Sequence, residues 1–463
     1  MSKHYKRIPL FAAAILSLNL TTAGYAVASK VPQQAGTKQM VEGLYSNNLE
    51  AASYFQQGVT RYNRSDFQQA ELAFRKALEF DPFIAMARYL LGNSLFQQGK
   101  SGLAAEQYRL ALGLDPNMPE AYYNLGLALY QEGNVDEAIV YYQRALSFDP
   151  DLVPARYNLG LAFESQGRTQ EALAQYQEAA RLNPNFAVAQ YNLGLLLAKQ
   201  DQTEPAITAL QQAVQSNPDL TQAHYQLGLL LVKQGRMQDA EQALMAATKL
   251  DPKLVPAQYQ LGLVLADQGK FAEASDRFSW VAKLEPTNVD AYQQLGIALI
   301  KIERYEQAAA ALQAAQRLQP DDSLTRYNLG VALQQQQKYD EAIAEYQEAI
   351  RLNPTLSEAF YNLGVSLVQA QRQDEAFSFL REARNLYSQE GNLRKIDEIE
   401  NYVQQVTAAQ MPVAQPTVPQ LVQPTTVPQR VQPSFSPQRV QPSFSPPRQP
   451  DISPFLPPSN GGR

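Results

Sequence analysis

Glycine recurs at a spacing of 34 residues along most of this chain, and this period constrains the fold more than any other feature. The series is Gly58, Gly92, Gly126, Gly160, Gly194, Gly228, Gly262, Gly296, Gly330 and Gly364. An unbroken period of this size is typical of a stacked array in which each repeat buries its apolar face only against its neighbours. We therefore expect one solenoid of ten repeats over residues 51–390, with a recognition surface in place of an enclosed active site.

Each repeat reads as a pair of antiparallel α-helices. In the third repeat, residues 119–152, apolar residues such as Leu125 and Leu129 recur at helical spacing. Gly133 ends the first helix, because glycine enters the left-handed region just past a helix at the lowest cost. Asp149-Pro150 ends the second helix, since proline moves the preceding residue away from helical geometry.

Small residues predict close contact between the helices. The recurring glycine lies inside the first helix, where it costs about 1 kcal/mol relative to alanine, so we expect a neighbouring helix that leaves no room for a side chain. The second helix carries an alanine row: Ala70, Ala104, Ala138, Ala172, Ala206, Ala240, Ala274, Ala308, Ala342 and Ala376. An aromatic residue or leucine four positions later fills the space between helices, as at Phe74, Tyr108, Tyr142, Tyr176, Leu210 and Leu244.

This pattern, from the glycine through the alanine row to the terminal proline, resembles the tetratricopeptide repeat family over about three-quarters of the chain. The resemblance implies an all-α fold, a right-handed superhelical solenoid of helix-turn-helix repeats. It also implies an inner, concave face that comes mainly from the first helices and binds peptides or proteins. Terminal repeats depart from the pattern at Gln57 and Ser388, as terminal repeats commonly do. Residues 391–408 carry one apolar helical face and are predicted to form a capping helix.

Two rows of side chains just before the glycine form the candidate peptide-binding site. The amide row, two positions before the glycine, is Asn124, Asn158, Asn192, Gln226, Gln260, Gln294, Asn328 and Asn362. The tyrosine row, three positions before it, includes Tyr123, Tyr157, Tyr191, Tyr225, Tyr259, Tyr327 and Tyr361, with Tyr89 and Phe55 before them and Gln293 in the eighth repeat. Amides pair a donor with an acceptor and so suit an extended backbone, and tyrosine adds apolar area with a polar tip.

Two interpretations of these rows remain open. By resemblance, the repeat region of O-linked N-acetylglucosamine transferases holds peptide backbone with asparagines at this position. Alternatively, the amides bond between adjacent helices and the tyrosines only pack. The residue after the glycine is mostly aliphatic, as at Leu127 and Leu263, which favours a partly apolar groove if it faces inward. The lysine–asparagine set with which some family members grip a C-terminal carboxylate does not appear.

The sequence offers little for catalysis, metals or cofactors, and we predict none of the three. There is no cysteine, and the two histidines are His4 and His224. His224 occupies a position held in other repeats by Arg156 or Gln258, so we predict a structural role. Residues 29–406 carry a net charge of −12, which disfavours binding to nucleic acid.

A basic row is predicted at one edge of the array. It consists of Lys100, Arg168, Arg236, Lys270, Arg304, Lys338 and Arg372. We interpret it as a solvated edge, paired with acids two or three residues later, each pair contributing little to stability.

The two ends of the chain differ from the array. Lys3, Lys6 and Arg7 precede the apolar run Ile8–Leu20 and the small residues Ala26-Val27-Ala28, which predicts a secretory signal peptide over residues 1–28. Residues 29–50 would be a linker. Export would lead to the periplasm, or to the thylakoid lumen if the source is a cyanobacterium, without an integral membrane segment after cleavage. The alternative is a membrane tether formed by the uncleaved signal.

Residues 409–463 are predicted to be a proline-rich, disordered tail. Fourteen of the 29 prolines lie in residues 412–463, and the nonapeptide QRVQPSFSP occurs at 429–437 and again at 438–446. The tail is either a spacer or a ligand segment, for a partner or for the chain's own groove. The sequence as a whole favours an exported, non-catalytic scaffold for a protein or extended peptide. The alternatives are a structural self-assembling solenoid and a regulatory subunit that presents substrates to a separate enzyme, such as a glycosyltransferase.

Overall fold

The computed structural model describes residues 46–410, and within that range every regular element is an α-helix. The helices are α1 Leu49–Asn63, α2 Phe67–Phe80, α3 Ala85–Gln97, α4 Ser101–Leu114, α5 Pro119–Gln131, α6 Val135–Phe148, α7 Val153–Ser165, α8 Thr169–Leu182, α9 Ala187–Lys199, α10 Thr203–Ser216, α11 Thr221–Lys233, α12 Met237–Leu250, α13 Val255–Asp267, α14 Phe271–Leu284, α15 Val289–Lys301, α16 Tyr305–Leu318, α17 Ser323–Gln335, α18 Tyr339–Leu352, α19 Ser357–Gln369, α20 Gln373–Gln389 and α21 Leu393–Gln410. The predicted signal peptide, most of the predicted linker and the tail from residue 411 lie outside the described residues.

Odd-numbered helices from α1 to α19 carry the recurring glycine and are called first helices; even-numbered helices carry the alanine row and are called second helices. The chain divides into two compact parts at Gln226 and Leu227, within α11. We call them the N-terminal part and the C-terminal part. The all-helical prediction and the helix-turn-helix repeat are confirmed for the described residues.

First helices end where one residue adopts a left-handed conformation. Glycine occupies this position in five repeats, for example Gly99 with φ 75° and Gly133 with φ 82°. The Lys100 backbone N–H then bonds to the Leu95 carbonyl, which is the pattern of a Schellman cap. The predicted helix ends are therefore confirmed. In the other five repeats the same left-handed position holds a non-glycine residue, and these residues are Ser65, Asp201, Glu303, Gln337 and Gln371.

Second helices from α2 to α18 end in an extended residue before proline, whereas α20 is capped by Glu390 before Gly391. Asp149 adopts φ −127° and ψ 91°, in agreement with the restriction that Pro150 imposes. Its carboxylate oxygen accepts a hydrogen bond from the Asp151 backbone N–H at 3.1 Å. The resulting turn leads directly into the first helix of the next repeat.

The recurring glycine lies directly beneath a large side chain of the second helix. A Cβ placed on Gly126 would lie 2.6 Å from Cε1 of the Tyr142 ring, and one on Gly194 would lie 2.7 Å from Cγ of Leu210. Tyr142 and Leu210 are fully buried, so neither can move aside. Every glycine of the series shows this contact with the residue 16 positions later, which confirms the predicted close approach.

Consecutive first helices also touch each other. In the N-terminal part α1 contacts α3, α3 contacts α5 and α5 contacts α7; in the C-terminal part α15 contacts α17 and α17 contacts α19. The side of the first helices that carries these contacts is called the inner face of each part. Helix α21 packs against α20 and buries Ile399 beside Tyr361 and Tyr387, so the last repeat does not end on an open apolar surface.

Candidate functional site

The tyrosine and amide rows lie on the inner face, where they join one first helix to the next. In the N-terminal part, the Asn124 Nδ2 donates to the Tyr89 hydroxyl at 3.1 Å. Asn158 donates in the same way to Tyr123 at 3.1 Å. An asparagine of one repeat thus bonds to the tyrosine 35 residues earlier, in the preceding repeat.

The third such bond runs from Asn192 to the Tyr157 hydroxyl, over 3.2 Å. Burial raises the pKa of Tyr157 to about 12, against the lowering effect of the hydrogen bond from Asn192. The hydroxyl therefore stays protonated through the physiological range. These three asparagines use an amide N–H to hold the stack together, as in the second of the two interpretations left open by the sequence.

The C-terminal part contains one bond of the same kind, from Asn362 Nδ2 to the Tyr327 hydroxyl at 3.1 Å. Both residues are buried. Asn328 is buried as well, at 2 % exposure, beside Tyr327. A ligand would therefore have little access to the rows in the ninth and tenth repeats.

Helix α21 completes the tyrosine row at its end. The Tyr361 hydroxyl donates to the Glu398 carboxylate at 3.0 Å, and the Lys395 Nζ lies 5.5 Å from the centre of the Tyr361 ring. Burial first, and then the Glu398 charge, raise the pKa of Tyr361 well above its ordinary value. Glu398 thus takes the place of the asparagine that a further repeat would supply.

The glutamines of the amide row behave differently from the asparagines. Gln226, Gln260 and Gln294 are half-buried on the inner face, and within residues 46–408 their side chains form no hydrogen bond to the tyrosine row. Glutamine is one methylene longer than asparagine, so its amide group extends beyond the position from which asparagine reaches the hydroxyl. The fold leaves the donors and acceptors of these amides unused.

Each part contains one pair of consecutive repeats in which the tyrosine and the glutamine do not bond, which we call a glutamine step. The N-terminal part has Tyr191 with Gln226, and the C-terminal part has Tyr259 with Gln294. Burial raises the pKa of both tyrosines to about 12, so their hydroxyls also remain protonated donors. Tyr225, half-buried, has a raised pKa for the same reason.

Beside the rows, the residues after the glycine add apolar surface. Leu127, Leu195 and Leu263 are half-buried, whereas Ile297 is buried at 4 % exposure. In the eighth repeat Gln293 replaces tyrosine. Its amide Nε2 donates to Asp322, the last residue of that repeat, at 2.9 Å and to Thr325 of the next repeat at 2.7 Å. The inner face thus alternates amide, hydroxyl and aliphatic groups.

A third row, not recognised in the sequence, fastens the turn between two repeats to the following first helix at five places in the described residues. Side chains four positions before the glycine bond to the carbonyl oxygen of the preceding proline, for example Arg156 to Pro150 at 2.9 Å. His224 Nε2 lies 2.9 Å from the Pro218 carbonyl oxygen, which is the structural role expected for this histidine. The fixed spacing of six residues from proline to a polar side chain was the available signal.

The basic row pairs with acids in two ways. Arg236 contacts Asp239 at 2.7 Å within its own repeat, as expected. Lys270, however, pairs with Glu241 of the preceding repeat at 2.7 Å, so the expectation of a partner two or three residues later fails there. The Arg236–Asp239 pair is exposed and contributes about 0–1 kcal/mol.

In the part of the chain that the structure describes, no helix is long and apolar enough to cross a membrane. Over the same residues, no three acidic or histidine side chains come together in a manner that could hold a metal ion.

Comparison with known families gave matches to repeat models. The model described as TPR repeat matches residues 92–133, and the one described as tetratricopeptide repeat matches residues 358–389. The model described as the C-terminal domain of cilia and flagella-associated protein 70 matches twice, over residues 116–319 and 165–362. No curated protein matches the chain.

Several solved structures are similar to part of the chain. YrrB, described as a TPR protein with an unusual peptide-binding site, is 24 % identical over 41 % of this chain and 98 % of its own, with a TM-score of 0.37. PilF of Pseudomonas aeruginosa is 25 % identical over 45 % of this chain and 95 % of its own, with a TM-score of 0.41. MamA of Desulfovibrio magneticus RS-1 is 24 % identical over 36 % of this chain and 96 % of its own, with a TM-score of 0.35.

Proposed function

Because the chain belongs to the tetratricopeptide repeat family, whose members are typically non-catalytic scaffolds for protein interaction, we propose that it is an exported scaffold that holds an extended peptide on its inner face. The peptide is either free or an extended segment of a partner protein. Export is part of the proposal and rests on the basic, apolar and small-residue pattern of residues 1–28.

The proposal rests on the glutamine amides that form no hydrogen bond to the tyrosine row. The asparagines of the amide row at residues 124, 158, 192 and 362 each form a hydrogen bond between repeats with their amide. Where glutamine stands, the amide remains half-buried on the inner face without that bond. An extended peptide offers the complementary groups, because its backbone N–H and C=O are unpaired. Each glutamine amide can donate to one such group and accept from another.

The surroundings of these amides suit a peptide of low charge. Half-buried leucines such as Leu195 and Leu263 supply apolar contact, and the tyrosine hydroxyls beside them remain protonated donors. A pocket that combines apolar surface with a few placed polar groups is the usual form of a specific binding site.

The experiment compares two double variants of the full chain on an array of short synthetic peptides. Gln260→Ala with Gln294→Ala removes amides from the inner face of the C-terminal part. Gln307→Ala with Gln313→Ala is the matched control, because both residues are exposed on the second helix α16. If one hydrogen bond is counted for each glutamine, at about 1 kcal/mol per bond and tenfold per 1.4 kcal/mol, the double variant weakens peptide binding by at least about 30-fold. Equal peptide signals from the two variants would refute the proposal.

A third variant, Gln294→Asn, keeps the amide but shortens the side chain by one methylene. By analogy with Asn362 and Tyr327, we expect the shorter amide at position 294 to bond to the Tyr259 hydroxyl and to withdraw from the peptide. Peptide affinity should then fall while resistance to unfolding rises. A variant that binds peptide as well as the original chain would show that the length of the side chain is irrelevant.

A further inference from the structure

We propose that the glutamine step of the C-terminal part binds the chain's own nonapeptide QRVQPSFSP, which occurs twice in the tail. This inference rests on the proposed function, because it assigns an occupant to the same inner face. It goes further by making peptide binding a competition between an external partner and a segment of the same molecule.

The receiving surface is formed by two consecutive first helices. Tyr259, Gln260 and Leu263 lie on one side of α13, and Gln294 lies on α15. All four are half-buried. The neighbouring Gln293 is held by Asp322 and Thr325, so it does not compete for these groups.

The nonapeptide has groups that are complementary to those of this surface. Each copy contains two prolines, which favour an extended polyproline II backbone without internal hydrogen bonds. Its backbone carbonyls and N–H groups are then free to meet the amides of Gln260 and Gln294. A phenylalanine in each copy, Phe435 or Phe444, supplies apolar area for a leucine such as Leu263.

Charge also favours this occupant. Each copy carries one arginine and no acidic residue. Asp290, exposed at the start of α15, is close enough to Tyr259 for its charge to act on the ring hydroxyl, and Asp267 is exposed at the end of α13. Lys301, at the end of α15, is the one cation near them on these two helices, so the surface has a net negative charge for the arginine to meet.

The tail is long enough to reach the site. Eighteen residues, 411–428, separate the end of α21 from the first copy, and an extended chain spans about 3.3 Å per residue, or roughly 60 Å. Six helix layers separate α21 from α15, at about 8–10 Å each. The first copy of the nonapeptide can therefore reach the site, and the second copy, which lies nine residues further along the chain, can reach it more easily. A tethered segment has an effective concentration in the millimolar range, which allows even a weak contact to be populated.

The test uses the absence of cysteine from the chain. Ser434→Cys places one thiol in the first nonapeptide. It is combined in the full chain with Ala266→Cys on the inner side of α13, one turn beyond Leu263, or with Ala272→Cys on the second helix α14 of the same repeat. Oxidised glutathione is the oxidant for disulfide formation. Because Ala266 is half-buried and Ala272 is exposed, each disulfide rate is divided by the rate at which the same cysteine alone forms a mixed disulfide with oxidised glutathione. We expect the normalised rate at position 266 to exceed that at position 272 by tenfold or more.

Two outcomes decide the inference. The preference for position 266 should disappear when Gln260→Ala and Gln294→Ala are added, and should persist when Gln307→Ala and Gln313→Ala are added. Equal normalised rates at the two positions in the otherwise unaltered chain would overturn the tail as occupant. If the same glutamine substitutions still abolish binding to the peptide array, the inner face binds peptide but the occupant is a partner, and the proposed function stands without this inference.

Discussion

Replacing Tyr142 with phenylalanine is expected to stabilise the protein, whereas the same replacement at Tyr346 is expected to destabilise it. Both tyrosines are fully buried, and both lie 16 residues after a recurring glycine. They differ in their hydroxyl groups. The Tyr346 hydroxyl donates to Gln334 Oε1 at 2.7 Å, whereas the Tyr142 hydroxyl is buried without a hydrogen-bond partner.

The difference follows from the first helix of each repeat. Tyr108 donates to Asn93 at 2.8 Å and Tyr176 donates to Glu164 at 3.0 Å, so the first helix supplies a polar partner there as well. In the third repeat the corresponding positions hold Leu127 and Tyr130, and neither accepts from Tyr142. The third repeat therefore carries a buried hydroxyl that the fold does not satisfy.

The magnitudes have opposite signs. A buried polar group without a partner costs about 1–3 kcal/mol, so Tyr142→Phe should raise the free energy of opening of α5 and α6 by about 1 kcal/mol. Tyr346→Phe removes a hydrogen bond and leaves the oxygen of Gln334, which is 5 % exposed, buried without a donor. The free energy of opening of α17 and α18 should therefore fall by about 1–3 kcal/mol.

Native-state hydrogen exchange is the appropriate measurement, because a repeat protein opens locally and its stability is a sum over neighbouring repeats. Amide protection in α5 and α6 is compared between Tyr142→Phe and the original chain, and in α17 and α18 for Tyr346→Phe. Changes of the same sign at the two sites would refute the reasoning, since they would show that the partner of the hydroxyl does not determine its contribution.

Three further predictions concern the glycines and tyrosines. Gly99→Ala should lower stability by about 1 kcal/mol, because Gly99 has φ 75° and a left-handed alanine is strained. Gly113→Ala, in an open helical position, should raise stability by about 0.5–1 kcal/mol. Urea unfolding measures both changes, and equal shifts would contradict the role given to the left-handed conformation of Gly99. Gly126→Ala should lower stability by up to about 2 kcal/mol, because an overpacked core costs about 1–3 kcal/mol and the gain in helix propensity offsets about 1 kcal/mol of it. Thermal unfolding tests this prediction. An unchanged midpoint would show that the ring above Gly126 moves aside. Burial raises the pKa of Tyr259 to about 12, above the value of about 10 for an unfolded tyrosine. The contribution of the protonated Tyr259 to stability is therefore complete below pH 10 and is lost as the pH rises to 12, by up to about 2–3 kcal/mol. Absorbance titration should show Tyr259 ionising near pH 12 or only on unfolding, and ionisation at pH 10 would contradict this.

Much of the repeat could be predicted because it depends on local chemistry and on a fixed period. The position of Gly126 beneath Tyr142 follows from the glycine and from the large residue 16 positions later, which recur together. The helix end at Gly133 follows from its left-handed geometry. The same helix end at Gln337 could not be predicted from residue type, since glutamine does not favour a left-handed conformation. At Gln337 the packing of the repeat against its neighbours determines the left-handed conformation.

The candidate site was predictable in position but not in its division of roles. Asparagine and glutamine carry the same amide, so the sequence presents the amide row as one set. Whether an amide is available depends on the length of its side chain, because Asn362 bonds to the hydroxyl of Tyr327 whereas Gln294, which is one methylene longer, does not bond to that of Tyr259. The gap that the side chain must span is set by the separation of two first helices, which in turn depends on the packing of the second helices behind them. A binding role is therefore better assigned to the members of a repeated row whose polar groups the fold leaves unused than to the row as a whole.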